Sequence, residues 1–189
     1  TSTSPWISYQ KCEQLENLKQ WILSRNWEPN QQKYSDSFYQ FRLILQDFLD
    51  VIMDSSVLDA REIYRVEKRY QKIEWNPPKY EKLAKDYDFR VALIQDLAAE
   101  LCRATNFILD LYRREIDPLF QIDTGYIFIT TGPHYDLSFH FHVVRYKDDD
   151  NSIPYNTLDQ FKIDRKNRDI SMGRGKDSND PEFIEWNNR

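Results

Sequence analysis

The three histidines of the chain, His134, His140 and His142, all fall within nine residues of sequence. Residues two apart on a β-strand share one face, with their Cα atoms about 7 Å apart. His140 and His142 have that spacing, and two imidazoles so placed can bind one zinc ion. Asp136 is the nearest carboxylate in the same stretch. His140, His142 and Asp136 are therefore the candidate catalytic residues of a metal-dependent enzyme.

The small number of metal-ligating side chains nearby argues against a metal-dependent enzyme. A catalytic zinc site needs three protein ligands. The third would come from His134, from Asp136 or from a carboxylate on another element, and no cysteine lies nearby. We therefore predict no bound metal and no cofactor, and interpret the two imidazoles as part of an aromatic, half-exposed surface.

The histidines lie in the only stretch of sequence that is typical of β-structure. In residues 125–146, two runs rich in β-branched and aromatic side chains flank a five-residue connection that contains Gly132 and Pro133, which predicts a hairpin. Folding the sequence about that connection pairs Phe128 with His140 and Tyr126 with His142. One face then carries six apolar residues expected to pack on the core: Ile127, Ile129, Leu137, Phe139, Phe141 and Val143.

The opposite face of the predicted hairpin is a candidate contact surface. It mixes aromatic, imidazole and aliphatic side chains, and an apolar patch that faces water usually marks a binding site. We predict that a protein partner or a second copy of the chain binds there. The predicted partner-binding residues are Tyr126, Phe128, His140, His142 and Tyr146.

Helices are expected to position this hairpin. Apolar residues at helical spacing predict helices from Ser4-Pro5 to Trp27, from Ser35 to Ser55 and from Lys79 to Ile116. Ser56 and Asp59 resemble a capping box and predict a further, highly charged helix to about Ile73. Asn76-Pro77-Pro78 then separates this helix from the long one.

These elements predict an α+β, mainly helical fold. We expect a four-helix bundle-like domain with a C-terminal β-hairpin packed on the long helix, and a third strand if the segment from Leu158 to Ile163 joins the sheet. Residues 1–147 would form the helical domain, with the hairpin at 121–147. Residues 148–189 would be a polar C-terminal segment, partly disordered or extending the sheet.

A set of basic residues on the predicted charged helix is the candidate nucleic-acid contact. Their spacing would align them along one side of that helix, where they could follow phosphates. Glutamates are interspersed, however, and the formal net charge of the chain is −5. Nucleic acid is therefore possible but not the favoured partner. The residues are Arg61, Arg65, Lys68, Arg69 and Lys72.

The composition limits the remaining function classes. The chain has 189 residues, a mean hydropathy of −0.77 and no apolar run long enough to span a membrane, which predicts a soluble cytoplasmic protein that makes no membrane contact. Cys12 and Cys102 are too few for a disulfide framework. We predict a non-enzymatic interaction or regulatory module, which could be part of a larger intracellular protein. The alternative is a metal- or nucleic-acid-dependent, nuclease-like enzyme centred on the histidine-bearing hairpin.

Overall fold

The structure is a computed structural model that describes residues 4–28, 31–131, 135–146 and 155–165. One turn of 3-10 helix, Arg69–Gln71, precedes the longest helix. In chain order the helices and strands are β1 (Trp6–Ser8), α1 (Tyr9–Leu23), α2 (Gln32–Ser55), β2 (Ser56–Leu58), β3 (Ile63–Val66), α3 (Pro77–Glu115), β4 (Phe128–Thr131), β5 (His140–Val143) and α4 (Leu158–Asp164). The prediction of a mainly helical chain with a small antiparallel sheet is confirmed.

Helix α3 is the 39-residue element that the sequence predicted between Lys79 and Ile116. It begins after Asn76, whose side chain accepts a hydrogen bond from the backbone N–H of Lys79 at 3.2 Å. Pro77 and Pro78 occupy the first helical positions, where the missing N–H groups need no partner. The predicted boundary at the prolines is therefore confirmed.

The chain begins with a strand and not with the expected helix. Residues Trp6–Ser8 form β1, and α1 starts only at Tyr9. Ser8 is its N-cap, with a side-chain oxygen that accepts from the N–H of Lys11 at 3.2 Å. The predicted cap at Ser4-Pro5 was wrong because pairing with a distant strand holds Trp6–Ser8 extended.

The helix predicted from Ser56 to Ile73 was also wrong, because this region forms β2, β3 and the 3-10 turn. One carboxylate oxygen of Asp59 accepts from the backbone N–H groups of Arg61 and Ile63, at 2.8 and 3.1 Å. Aspartate bonded in this way stabilises a turn between strands. Asp59, which resembled one member of a helix capping box, is therefore the first residue of a β-turn, and Ser56 begins β2.

The three N-terminal strands form an antiparallel sheet in the order β1-β3-β2. Trp6 pairs with Arg65, and Arg65 pairs with Val57 on the other side. A short strand at the start of the chain is thus joined to a hairpin more than 50 residues later. This sheet lies on the core through Val66, which is 5% exposed.

The hydrophobic core lies mainly between α2 and α3, and α1, β3 and the C-terminal segment add to it. Ile44 and Leu45 of α2 and Leu97 of α3 are fully buried. Burying a side chain of that size contributes roughly 1.5–3 kcal/mol. Cys12 lies in this core, and both it and Cys102 are free thiols.

Within the part of the chain that the structure describes, no helix has both the length and the apolar character needed to cross a lipid bilayer.

Candidate functional site

The two strands that carry the predicted site, β4 and β5, pair antiparallel in a register different from the expected one. Phe128 pairs with Val143, and Ile129 pairs with His142. The expected partners of Phe128 and Tyr126, His140 and His142, were wrong by three residues. An odd shift exchanges the two faces of one strand relative to the other, so the predicted division into faces is wrong as well.

The reason lies in the connection between the strands. The chain reverses around Asp136, whose carboxylate accepts from the N–H of Ser138 at 3.0 Å, and Leu137 has a positive φ of 63°. The reversal is therefore centred later than Gly132-Pro133 suggested. Residues 132–134, including the candidate ligand His134, lie outside the described residues.

The new register places most of the expected core face in contact with solvent. Phe141 is 66% exposed and Val143 is 53% exposed, although both were predicted to pack inward. Val144, the residue after β5, is instead buried at 4%. Phe128 and Phe141 contact each other edge to face, with ring centroids 5.4 Å apart.

The exposed apolar residues of this region form what we name the β4–β5 strip. They lie on the two strands and on the described part of the connection. Each is more than half exposed. The strip consists of Phe128, Tyr135, Leu137, Phe139, Phe141 and Val143.

Asn106 of α3 holds the base of the two strands. Its side-chain amide donates to the carbonyl oxygens of Ile127 and Val144, both at 2.8 Å, and its side-chain oxygen accepts from the N–H of Ile127 at 2.9 Å. The residue is fully buried. One side chain therefore satisfies three backbone groups on two strands that would otherwise lack partners on this side.

Next along α3, Asp110 binds both strands through their side chains. It accepts from the hydroxyl of Tyr126 at 2.6 Å and from two nitrogens of Arg145 at 2.7 and 3.1 Å. The Tyr126 ring lies between two guanidinium groups, with Arg145 at 4.6 Å and Arg113 at 4.9 Å from its centroid. Tyr126, a predicted partner-binding residue, is thus engaged within the chain.

Arg113 closes the segment before β4. Its guanidinium donates to the carbonyl oxygens of Phe120, Gln121 and Gly125 at 2.8–3.0 Å. Gly125 has a φ of 72°, a conformation that favours glycine. The chain is therefore held against α3 as it turns toward β4.

Further toward the N-terminus of α3, Glu100 forms a buried polar centre. It accepts from the hydroxyl of Tyr146 at 2.7 Å and from Arg103 at 3.1 Å. Glu100 is 0% exposed and Arg103 is 3% exposed. Tyr146 is the second predicted partner-binding tyrosine whose hydroxyl bonds inside the chain.

The residues that hold β4, β5 and the C-terminal segment occupy one stripe of α3, which the sequence reasoning missed. They recur at intervals of three or four positions, which is the spacing of one helix face. The signal was present in the sequence, because the other residues between Asp96 and Arg113 are apolar or aromatic, apart from Thr105. These residues are Asp96, Glu100, Arg103, Asn106, Asp110 and Arg113.

The C-terminal segment 155–165 binds the same body. Tyr155 is 2% exposed and donates its hydroxyl to Asp47 of α2 at 2.6 Å. Burial raises the pKa of the Asp47 carboxyl, while the hydrogen bond from Tyr155 opposes that shift. Phe161 of α4 is buried at 1%. The alternative in which Leu158–Ile163 adds a third strand is wrong, because these residues form a docked helix.

Arg165 follows α4 and forms a fully buried ion pair with Asp96 of α3. The closest nitrogen and oxygen are 2.7 Å apart, without the alignment of a good hydrogen bond. Burial lowers the pKa of the Arg165 guanidinium, although the charge of Asp96 acts in the opposite direction. The Phe89 ring lies 5.5 Å from the guanidinium carbon.

The predicted catalytic residues are not assembled into a site by the described contacts. The backbones of His140 and His142 lie in β5, and their side chains lie outside the described residues. Asp136 uses one oxygen for the turn at Ser138. Among the side chains that the structure describes, which exclude those of His140 and His142, no three of His, Cys, Asp or Glu group together as metal ligands.

The five basic residues predicted as a helical stripe lie instead on a turn, a strand and a loop. Arg61 is in the turn between β2 and β3, and Arg65 in β3 forms an ion pair with Asp59 at 3.1 Å. Arg69 and Lys72 both bind Glu67, at 2.9 and 2.8 Å.

The fifth member of the set, Lys68, places its ammonium group 5.9 Å from the centroid of the Tyr87 ring. Tyr87 belongs to α3. The predicted set therefore lies on at least three separate elements, and acidic or aromatic neighbours contact four of its members.

Comparison of this chain with protein-family models, with curated proteins and with solved structures gives no match. The arguments for function therefore rest on the residues and their geometry.

Proposed function

We propose that the protein is a non-enzymatic interaction module that associates with a second copy of itself through the β4–β5 strip. The observation that carries the proposal is the exposure of six large apolar side chains in one short region. Aromatic side chains have 150–250 Å² of surface each, so the exposed part of the strip amounts to roughly 700 Å². A patch of that size is larger than most monomers leave in water.

The area is close to what one partner contributes to a stable interface, about 800 Å². Residues 126–131 and 137–143 contain no Lys, Arg, Asp or Glu. A two-fold contact of this strip with itself would therefore bring together no like charges other than the Asp136 carboxylates of the two copies. The charge pattern thus supports self-association.

The predicted binding set is narrowed in this proposal. Phe128 stays in the proposed contact. Tyr126 and Tyr146 are left out of it and instead hold the strands on α3, because their hydroxyls bind Asp110 and Glu100. His140 and His142 alternate with Phe141 and Val143 along β5, so their register positions fall on the opposite face and they leave the proposed contact. Phe141 and Val143 join the contact because both are more than half exposed.

Light scattering as a function of protein concentration tests the proposal. We expect the wild type to change from monomer to dimer with concentration and Phe128→Ser to remain a monomer. Tyr39→Ser is the matched control, because Tyr39 is 52% exposed on α2, away from the strip in sequence. A wild-type protein that stays monomeric throughout, or an equal effect of both variants, contradicts self-association through this strip.

A further inference from the structure

Four aromatic residues cluster where the 3-10 turn leads into α3. Trp75 is 85% exposed, and its ring lies 6.5 Å from that of Tyr80, which is 40% exposed. Tyr70 contacts Tyr80 edge to face at 5.4 Å and Tyr87 at 5.5 Å. Because most of the Trp75 indole faces solvent, its contacts within the chain contribute little to the stability of the fold.

The position of these rings is fixed by the local backbone. Asn76 caps α3, and Pro77 and Pro78 restrict the chain immediately after Trp75. Tyr70 is held between Tyr80 and Tyr87. Because this backbone is already restricted, binding a ligand to the rings would cost little backbone entropy.

The surrounding charge is positive although the chain as a whole is acidic. Residues 67–82 contain five basic and three acidic residues, a net charge of +2, against −5 for the whole chain. One carboxylate, Glu67, is shared by Arg69 and Lys72. Lys79 adjoins Tyr80 in the exposed first turn of α3. Cations thus flank the exposed rings.

We propose that this aromatic–basic surface binds single-stranded nucleic acid. Bases would stack on Trp75 and Tyr80, and Lys79 would contact phosphates. Exposed aromatic faces accept bases of any sequence, and lysines supply the attraction to the backbone. Duplexes fit less well, because their bases are already stacked on one another. The surface shares no residue with the β4–β5 strip, so this inference is independent of the proposed self-association.

Fluorescence anisotropy with labelled oligo-dT and oligo-U of twelve nucleotides tests the proposal. We expect binding at low salt that weakens as salt rises, and at least about tenfold weaker binding for Trp75→Ala. Lys79→Glu is expected to weaken binding and to reduce the salt dependence. Because Trp75 and Lys79 are exposed, both variants are expected to fold.

Two matched controls define specificity. Trp21→Ala removes another exposed indole with a nearby cation, the Arg25 guanidinium 4.2 Å from its ring centroid. Lys11→Glu reverses an exposed charge on α1, the helix that carries Trp21. Both are expected to bind the oligonucleotides within about twofold of the wild type.

Three outcomes would overturn the proposal. They are no oligonucleotide binding at low salt, an equal loss in the Trp75 and Trp21 variants, or displacement of the oligonucleotide by polyglutamate at equal charge concentration. The last outcome would assign the surface to acidic peptides. A twelve-base-pair duplex that binds as tightly as the single strand would also contradict the stacking on Trp75.

Discussion

Asn106 shows how one side chain can set the position of two strands. A helix satisfies its own backbone, so α3 can offer β4 and β5 only side chains as partners. The amide of Asn106 carries both donors and an acceptor, and here it uses both kinds in three bonds of 2.8–2.9 Å. No apolar residue at this position could replace those bonds.

We expect Asn106→Ala to lower the free energy of unfolding by about 2–4 kcal/mol, because it leaves buried carbonyl and N–H groups without partners. Asn106→Asp is expected to be at least as damaging, since a carboxylate cannot donate to the carbonyls of Ile127 and Val144. Urea unfolding measures both effects.

Asn17→Ala is the control for this experiment. Asn17 is exposed on α1, where we expect a change within about 0.5 kcal/mol. Equal stabilities of the Asn106 and Asn17 variants would show that the strands do not depend on the amide.

At the scale of elements, the segment 155–165 links α2 to α3. Tyr155 bonds to α2, and the Arg165 guanidinium pairs with Asp96 on α3. Phe161 lies in the core between them. Removing one partner of a buried ion pair costs several kcal/mol, so this short segment is an integral part of the fold.

The carboxyl of Asp47 gives this contact a pH dependence. Its pKa is raised in the folded protein, whereas in the unfolded chain it returns to about 3.9. Between the two values the folded state binds more protons than the unfolded state. The contribution of Asp47 to stability is therefore full at low pH and is lost as pH rises through the raised pKa.

Asp47→Asn keeps an acceptor for the Tyr155 hydroxyl but does not ionise. We expect its stability relative to the wild type to increase as pH rises from about 4 to 7, as measured by urea unfolding at several pH values. Asp54→Asn on the same helix is the control, because Asp54 is exposed. A stability difference for Asp47→Asn that stays constant with pH would contradict this account.

At the scale of the whole molecule, the two proposed surfaces use different interactions. Self-association through the apolar β4–β5 strip would depend weakly on salt, because it rests on hydrophobic burial. Nucleic-acid binding to the aromatic–basic surface would depend strongly on salt, because it rests partly on charge. Salt titration of each binding reaction therefore separates them in the intact protein.

The alternative, a metal-dependent enzyme, requires a bound zinc ion. We expect the purified protein to contain well below one zinc ion per chain, because His140 and His142 alone do not complete a site. Elemental analysis measures this directly. One zinc per chain, lost on His140→Ala, would establish the metal-dependent alternative.

The sequence by itself determined where α1, α2 and α3 lie, to within a few residues at most ends. Helical periodicity is local, and the Asn76-Pro77-Pro78 boundary depends on backbone restrictions that act within a few residues. The same local reasoning failed for Ser56–Ile73, where Asp59 begins a β-turn and not a helix, because aspartate is typical of both starts.

Only the tertiary structure decided the strand pairings, the register of β4 and β5 and the burial of the polar stripe on α3. β1 is a strand because β3 lies beside it, and that partner is more than 50 residues away. The register depends on Asn106 and Asp110, which belong to a different element. Local sequence does not specify such pairings, because a polar residue on a helix is stable in water or buried, depending on what distant residues offer it.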